Sequence, residues 1–569
     1  MFHSLAQSPG HGDPFLWPCL CKASRVSSQT DTLSRPVEDS PTRSPWWIGA
    51  IAGLASAAAG LAIGELLASI WTSLESPVVS VGNRVVDNVP RWLKTWAIET
   101  FGTNDKAVLL GTVALLLAVG AAALGILAVR RGIRFGLIGI GIFTAVGMLA
   151  SLGRGTSGLL APLPSLVGGL VAGGTLALLM HRGNLDFAGE RPAQTQPAQT
   201  PSAQTPPAQS MLLKVPNRRQ FLGTAAGVTA GAVVVGGAAR WLRSQGVAAA
   251  ERLKIVLPRP TNALADPPAA VELGVAEVSP FFTPTSEFYR IDTALTVPQV
   301  DLSSWTLEVM GQVNTPITLS YAQLLERPMI EADITIDCVS NEVGGDLIGT
   351  ARWLGCRLDD LLKEAGVSAT ADQIVGRSVD GFTAGFPTAL LDGRDALVAV
   401  GMNGEPLPTN HGFPARLIVP GVYGYVSATK WLSQIELTTF EQFQGYWIPR
   451  GWSVDGPIKT QSRIDTPRNG ATVQAGSTVP IAGVAWAPIR GISKVEVRID
   501  SGPWQEAKLG QEYQATTWRQ WKLDWLPSSG EHKIAVRATD GEGATQTDQL
   551  APVAPDGATG WHTVIVYAE

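Results

Sequence analysis

The first half of the chain contains apolar segments long enough to cross a membrane, and these limit the possible folds more than any other feature. Four segments carry almost no charge: Trp46–Trp71, Ala107–Val129, Phe135–Gly153 and Leu159–Met180. A helix needs about 20 apolar residues to cross the hydrocarbon core, whereas the helices of a soluble bundle show a polar face that these segments lack. We therefore predict a cytoplasmic tail (1–45) followed by four transmembrane helices (46–182).

Basic residues in the short loops predict the orientation of these helices. Arg130, Arg131 and Arg134 crowd the connection between the second and third spans, which places that loop in the cytoplasm. Arg182, after the fourth span, agrees with this orientation. The loop Thr72–Lys106 is also basic, but it is long and partly amphipathic, so we expect it to lie on the outer surface.

A linker and a fifth apolar segment follow. Residues 183–217 contain an imperfect PAQT repeat, a Pro-rich composition that is typical of an extended linker. Arg218 and Arg219 then precede a Gly/Ala/Val run to residue 243, which resembles an internally placed twin-arginine export signal. The alternative is an ordinary fifth anchor helix. Both interpretations place the rest of the chain outside the cytoplasm.

The second half has the pattern of globular domains. WTLEVMGQV and ADITIDC alternate as strands do, whereas YAQLLE and LDDLLKEAG indicate short helices, so residues 253–455 are predicted to form an α+β domain. From residue 464 onward, short strands separated by turn residues follow at regular spacing. This pattern predicts an immunoglobulin-like β-sandwich over residues 456–569.

Composition excludes several functions. The formal net charge of -5 gives no electrostatic footprint for nucleic acid, and four cysteines are too few for a disulfide-stapled scaffold of this length. The sequence has no CxxCH, CxxC or HExxH motif, and no histidine lies inside the predicted spans. We therefore expect no haem, which usually requires two axial side chains in a membrane cytochrome.

One cysteine occupies a position suited to metal binding. In ITIDCVSNEVGG, Cys338 lies where a predicted strand runs into a Gly-containing loop, and a thiolate held there by a rigid element suits a soft metal. A lone cysteine is more commonly a small buried hydrophobic residue. Cys356 is expected to be such a core residue, at the start of a helix.

A cluster of polar and cationic residues in the apolar stretch NHGFPARLIVPGVYGYVSATKWL strengthens the metal-site hypothesis. Its members are Asn410, His411, Arg416 and Lys430. Together they offer hydrogen-bond donors suited to a phosphate and a polar heterocycle. A core histidine with surface cations would not account for their occurrence within so apolar a stretch.

The sequence from about Ser286 to the end resembles the sulfite oxidase family of molybdenum enzymes. FYRIDTALTVP is similar to the family's opening segment, CVSN to its cysteine loop and GTARWLGCRLDDLL to the segment that leads into a helix. GMNGEPLPTNHGFPARLIVPG resembles its pterin-binding stretch, and GWHTVIV resembles the end of its dimerisation domain. The resemblance implies a sulfite-oxidase-type α+β molybdopterin domain and a homodimer formed through the sandwich.

The resemblance also implies a cofactor and a reaction. A molybdenum ion would be held by one pyranopterin and by Cys338, with Arg290 near its oxo groups. The expected contacts to the pterin come from Asn341, Asn410, His411, Arg416 and Lys430. Family chemistry is oxygen-atom transfer on a small compound, for which the metal and pterin supply the redox steps. Without a fused haem domain, we expect a separate protein or a quinone-linked partner to exchange the electrons.

Two departures from the family leave the substrate open. Glu342 stands where the family's cysteine loop continues with arginine, and a carboxylate there would repel sulfite by ~4 kcal/mol per charge at ~4 Å. Phe382 aligns with the family's active-site tyrosine, and Arg450 is either a cation at the domain junction or a surface residue. The alternatives are a sulfoxide or N-oxide reductase of the same family and a cofactor-free membrane protein for adhesion or assembly.

Overall fold

The apolar half of the chain forms six helices in the part that the structure describes. A computed structural model describes residues 45–71, 74–90, 93, 96, 100–101, 105–152, 160–182, 218–244 and 251–569. The predicted tail up to residue 44 and the predicted linker lie outside these residues. The helices are α1 (Trp46–Ile70), α2 (Pro77–Asn88), α3 (Asp105–Arg131), α4 (Ile133–Ser151), α5 (Leu163–Arg182) and α6 (Arg218–Ser244).

Five of these helices, all except α2, are long and apolar enough to cross a membrane. They coincide with the four predicted spans and with the fifth segment. Helix α1 lies at the centre and packs against α3, α5 and α6. A Cβ on its Gly53 would lie 1.9 Å from the Ala121 carbonyl oxygen, and one on Gly60 would lie 2.4 Å from that of Gly168. Small residues that let backbones approach this closely are typical of helix contacts in membranes.

Helix α2 lies in the predicted outer loop between the first two spans. Ser76 caps its first turn by accepting a hydrogen bond from the Val79 amide at 3.2 Å. The Arg84 guanidinium donates to the Leu152 carbonyl oxygen at 2.6 Å, just beyond the last residue of α4. These contacts anchor α2 on the helical bundle, and Asp87 lies in its last turn.

The α+β domain contains two sheets and three short helices. The first sheet has the order β2-β1-β10-β5-β6, and the second has the order β3-β4-β7-β8 with β9 paired to β7. The strands are β1 (Thr306–Gly311), β2 (Ile317–Ser320), β3 (Met329–Asp337), β4 (Ile348–Arg357), β5 (Gln373–Ser378), β6 (Thr383–Pro387), β7 (Leu397–Met402), β8 (Glu405–Pro406), β9 (Arg416–Ile418) and β10 (Leu432–Thr438). The helices are α7 (Tyr321–Leu325), α8 (Leu358–Ala365) and α9 (Gly424–Ser427).

Most of the predicted elements of this domain are observed, with one difference. The segment GTARWLGC forms β4, so Cys356 is a core residue of a strand instead of the start of a helix. The cause is pairing on both sides, because β4 lies between β3 and β7 in the sheet. The helix begins one residue after that strand ends, at Leu358.

The C-terminal region is a two-sheet sandwich, as predicted for an immunoglobulin-like fold. One sheet has the order β11-β13-β17-β16 and the other the order β12-β19-β18-β14-β15. The strands are β11 (Gln461–Thr466), β12 (Thr472–Val473), β13 (Val479–Trp486), β14 (Ile492–Ile499), β15 (Trp504–Glu506), β16 (Lys508–Leu509), β17 (Arg519–Trp525), β18 (Gly530–Asp540) and β19 (His562–Ala568). Alternate residues of both sheets fill the core, including Ile481, Val495, Trp521 and Val536, all fully buried.

The sandwich packs directly against the strand that leads to Cys338. The Trp486 indole N–H donates to the Asp337 carboxylate at 3.0 Å. The Trp518 amide donates to the Thr335 hydroxyl at 2.8 Å. Both contacts hold β3 from the sandwich side, while β4 pairs with its other edge. The end of β3 is therefore a rigid position from which to present a side chain.

Candidate active site

Cys338 follows β3 directly and opens a tight loop. Its side chain is buried, and burial raises the pKa of the thiol to about 11. The Asn341 amide N–H donates to the Cys338 carbonyl oxygen at 2.8 Å, and the Asn341 side-chain oxygen accepts from the Leu347 amide at 3.0 Å. A Cβ on Gly345 would lie 2.4 Å from that oxygen, so glycine is required for this close approach. The Asn341 side chain therefore shapes the loop.

Three members of the polar cluster predicted from the sequence, His411, Arg416 and Lys430, are buried, whereas Asn410 is half-buried. His411 is 2% exposed, and burial, helped by the charges of Arg416 and Lys430, lowers its pKa to about 4. The Arg416 guanidinium donates to the His411 carbonyl oxygen at 3.1 Å and lies 5.1 Å from the centre of the Trp353 ring. Burial lowers the pKa of Arg416 to about 10 and that of Lys430 to about 8. At neutral pH the cluster therefore holds two cations and an uncharged imidazole.

Asp292 joins several cations at one buried carboxylate, which sequence reasoning did not identify. Lys430 donates to one of its oxygens at 2.9 Å, and Lys106, on the first turn of α3, donates to the other at 2.8 Å. Arg290 also donates to it at 2.8 Å. Burial alone would raise the pKa of Asp292, but Lys430 and then Lys106 hold it well below the usual range. Asp292 is therefore ionised and keeps these cations together.

Cys338 and the cluster line one cavity of about 840 Å³. The residues of the cluster that reach the cavity are His411, Arg416 and Lys430, whereas Asn341, Asn410 and Arg290 are not among its lining residues. Tyr289, next to Arg290, lines the cavity instead. Burial and then the nearby Cys338 raise the pKa of its phenol well above the usual value. Ile291, Asp292 and Thr293 of the same segment also line the cavity, and the role of Arg290 beside the metal stays a prediction.

The outer part of the cavity differs in character from the inner part. Its walls are aromatic and include Phe382, Trp447 and Trp452. The acidic residues Glu342 and Asp380 also line it, and Glu342 is exposed. The Asp380 carboxylate accepts a hydrogen bond from the Phe382 amide at 3.0 Å. The cavity is therefore cationic at its inner end, whereas its outer end is aromatic and carries these carboxylates together with the Arg450 guanidinium.

The inner end fits a phosphate-bearing pterin and a soft metal. Arg416 is 4% exposed, and its Nε has no hydrogen-bond partner among the described residues. A buried guanidinium with an unused donor is unfavourable unless an acceptor joins it, and phosphate is a preferred partner of guanidinium. The Cys338 thiol borders the same cavity and would supply a soft ligand.

Comparisons with known proteins identify the two domains that follow the helical half. Residues 294–447 match the family model described as the oxidoreductase molybdopterin binding domain, and residues 461–536 match the bacterial Ig domain. Human mitochondrial sulfite oxidase is 31% identical over 368 residues, which cover 55% of this chain and 66% of that protein. Chicken sulfite oxidase is 30% identical over 352 residues, which cover 53% of this chain and 74% of that protein.

A solved structure with a similar fold is the sulfane dehydrogenase SoxCD from Paracoccus pantotrophus. It is 20% identical, covers 55% of this chain and 90% of its own, and has a TM-score of 0.45. The alignment with the human protein spans just under two thirds of that protein's length. The extent and identity of the match to chicken sulfite oxidase, together with the molybdopterin-domain match, show that the chain belongs to the sulfite oxidase family of molybdopterin-binding oxidoreductases.

Proposed function

We propose that this protein is a membrane-anchored molybdenum oxidoreductase that acts outside the cytoplasm on a small sulfur or nitrogen compound. The observation that carries this proposal is the convergence of Cys338, His411, Arg416 and Lys430 on one cavity, with an unused donor on Arg416. When bound, a single molybdenum pyranopterin supplies oxygen-atom transfer coupled to two electrons. The chain supplies placement and electrostatics.

The residues of the inner cavity have distinct roles in this proposal. Cys338 is the protein ligand of the metal. Arg416 and Lys430 neutralise the pterin phosphate, and His411, uncharged at neutral pH, offers a ring nitrogen to it. Asp292 keeps Lys430 charged and fixed, and Arg290 supports this arrangement from outside the cavity. Asn341 acts by holding the cysteine loop, and Asn410 by carrying His411 into position.

The outer cavity favours an uncharged organic substrate over a small dianion. An exposed carboxylate, Glu342, faces the space through which a substrate must pass, and Phe382 offers no hydroxyl donor there. Both features support the second candidate function, reduction of a sulfoxide or an N-oxide by the same site. In that direction the substrate takes up two electrons from the redox partner, and its oxygen atom leaves as water with two protons from solvent.

The helical half anchors the enzyme in this proposal. The five long helices cross the membrane, with Arg130, Arg131 and Arg134 on the cytoplasmic side. The twin-arginine-like pair at the start of α6 directs export of the folded, cofactor-loaded domains. A separate protein or a quinone-linked partner exchanges electrons without a haem in this chain. The sandwich forms the contact of a homodimer.

Elemental analysis of the purified protein by mass spectrometry tests the central claim. We expect about one molybdenum atom per chain and no iron, as for a single pterin-bound metal without haem. Turnover of sulfite, sulfoxides and N-oxides, with artificial electron acceptors or donors, then separates the two directions. If protein from a host that makes the cofactor contains no molybdenum, the proposal is refuted. The alternative, a cofactor-free membrane protein for adhesion or assembly, is then favoured.

A further inference from the structure

The wall of the candidate active site includes residues from the helical half of the chain. Asp87, in the last turn of α2, and Val89, just beyond it, line the same cavity as Cys338. Both family models match only residues after 293. The cavity is thus completed by a segment outside the matched domains.

Asp87 contacts the cation at the outer end of the cavity. The Arg450 guanidinium lies 3.8 Å from the Asp87 carboxylate and donates to the Asp87 carbonyl oxygen at 3.4 Å. The Tyr446 hydroxyl donates to the same carboxylate at 3.1 Å. Arg450 also lies 3.7 Å from the centre of the Tyr446 ring and donates to the Tyr446 carbonyl oxygen at 2.5 Å. Asp87 therefore both neutralises Arg450 and helps to fix its position.

The pairing of Asp87 with Arg450 changes the net charge of the outer cavity, through which a substrate enters. Among the residues that the structure describes, Arg450 is the cation that lines the outer cavity, where Glu342 and Asp380 contribute carboxylates. With Arg450 paired to Asp87, the outer cavity is acidic. Without Asp87, a guanidinium would be available to an anion beside those two carboxylates.

The position of Asp87 is set by the helical bundle. The Arg84 side chain, one turn earlier in α2, holds the end of α4. Lys106 ties the start of α3 to the oxidoreductase domain, since its ammonium contacts Asp292 and donates to the Ala294 carbonyl oxygen at 2.9 Å. Arg84 therefore fastens α2 to the helical bundle, and Lys106 fastens the end of the outer loop to the oxidoreductase domain.

We propose that Asp87 is a specificity-determining residue, which pairs with Arg450 and so disfavours small dianions in favour of uncharged substrates. The helical half then forms part of the substrate site in addition to anchoring the enzyme. This inference rests on the proposed function, because the cavity must hold the cofactor for the outer part to be a substrate site.

The test measures binding of sulfate, an inert dianion, to the molybdenum-loaded full-length protein by titration calorimetry. Asp87→Asn keeps an oxygen that accepts from Tyr446 and removes only the charge. We expect the Kd of sulfate to fall about fivefold, the size of effect expected when a partly exposed ion pair is broken. A variant that merely damaged the structure would lose binding and would not gain it.

Two further variants make the result specific. Glu75→Gln is the matched control, because the Glu75 carboxylate contacts Ser80 and Asn83 within the same loop and does not line the cavity; its Kd should equal the wild-type value. In an Arg450→Gln background, Asp87→Asn should leave the Kd of sulfate unchanged, because the Arg450 guanidinium that loss of Asp87 would make available is no longer present. An unchanged Kd in the single Asp87→Asn variant, or an equal decrease in both backgrounds, would overturn the inference. Molybdenum content and wild-type turnover, measured on the same samples, report separately on the proposed function.

Discussion

Replacing Arg416 by methionine should stabilise the cofactor-free protein while it weakens cofactor binding. The guanidinium is buried, and its Nε has no partner among the described residues. Methionine keeps an apolar stem of similar length and removes the charge. The same change should therefore act in opposite directions on the two forms of the protein.

The magnitudes follow from the contacts of Arg416. Burial lowers its pKa from the usual range to about 10, which disfavours the charged form by roughly 3 kcal/mol. Two contacts offset part of this cost of burying the charge. The hydrogen bond to the His411 carbonyl oxygen and the contact with the Trp353 ring contribute about 1 kcal/mol each. The cofactor-free variant should thus gain about 1 kcal/mol, or about 2–4 °C in the Tm of its oxidoreductase domain. Loss of a charged hydrogen bond to phosphate, worth about 1.5–3 kcal/mol, should weaken cofactor retention at least tenfold.

The assay compares Tm values of cofactor-free protein and the ratio of molybdenum to protein after purification and dialysis. Arg463→Met is the matched control, because Arg463 is also buried but is bound to Asp465 at 2.6 Å and to the Gly345 carbonyl oxygen at 2.7 Å. Breaking that buried pair should lower stability by about 3–5 kcal/mol. A lower Tm for cofactor-free Arg416→Met, together with an unchanged molybdenum ratio, would refute the reasoning.

Three other changes have defined outcomes. Cys338→Ser should leave the fold intact and abolish turnover, because a hydroxyl is a poor ligand for a soft metal; full activity would contradict the ligand assignment. Arg218 and Arg219 changed to lysine should keep the outer domains in the cytoplasm, measured by protease accessibility in spheroplasts, and unchanged export would indicate an ordinary anchor helix. Trp486→Phe removes the hydrogen-bond donor to the buried Asp337 carboxylate at the end of β3. The control is Trp521→Phe, because the Trp521 indole N–H has no partner in the described part of the chain. Trp486→Phe should lower the free energy of unfolding by about 1–3 kcal/mol more than this control. Equal losses would show that this hydrogen bond adds nothing.

The sequence predicted elements whose signal is local. The absence of charge located the five long helices, and strand alternation placed Cys338 at the end of a strand, because each depends on residues adjacent in the chain. Pairing is not local, so the sequence predicts the helix that begins at Leu358 but does not show that the segment before it is the internal strand β4. The sandwich was predictable because its short strands recur between turn residues at regular spacing.

The structure brings the segments of the candidate site to one cavity, but not every predicted side chain reaches that cavity. FYRID was identified, yet in this extended segment Tyr289 lines the cavity and Arg290 does not. Asn341 is predicted at the cofactor, and its side-chain oxygen accepts a hydrogen bond from the Leu347 amide within its own loop. The contacts of Asp292 and Asp87 join residues far apart in sequence, and no pattern within a single segment indicates which partner a carboxylate will contact.

The two halves of the chain are coupled through Asp292, and the reason is electrostatic. Burial lowers the pKa of Lys430 to about 8, so this ammonium would be poorly charged at neutral pH without a nearby anion. Asp292 opposes that shift, but a buried carboxylate is itself unfavourable unless cations surround it. Lys106 supplies one of these cations from the first turn of α3. Movement of that helix would therefore change the environment of Asp292 and, through it, the charge and position of a lysine that lines the inner cavity.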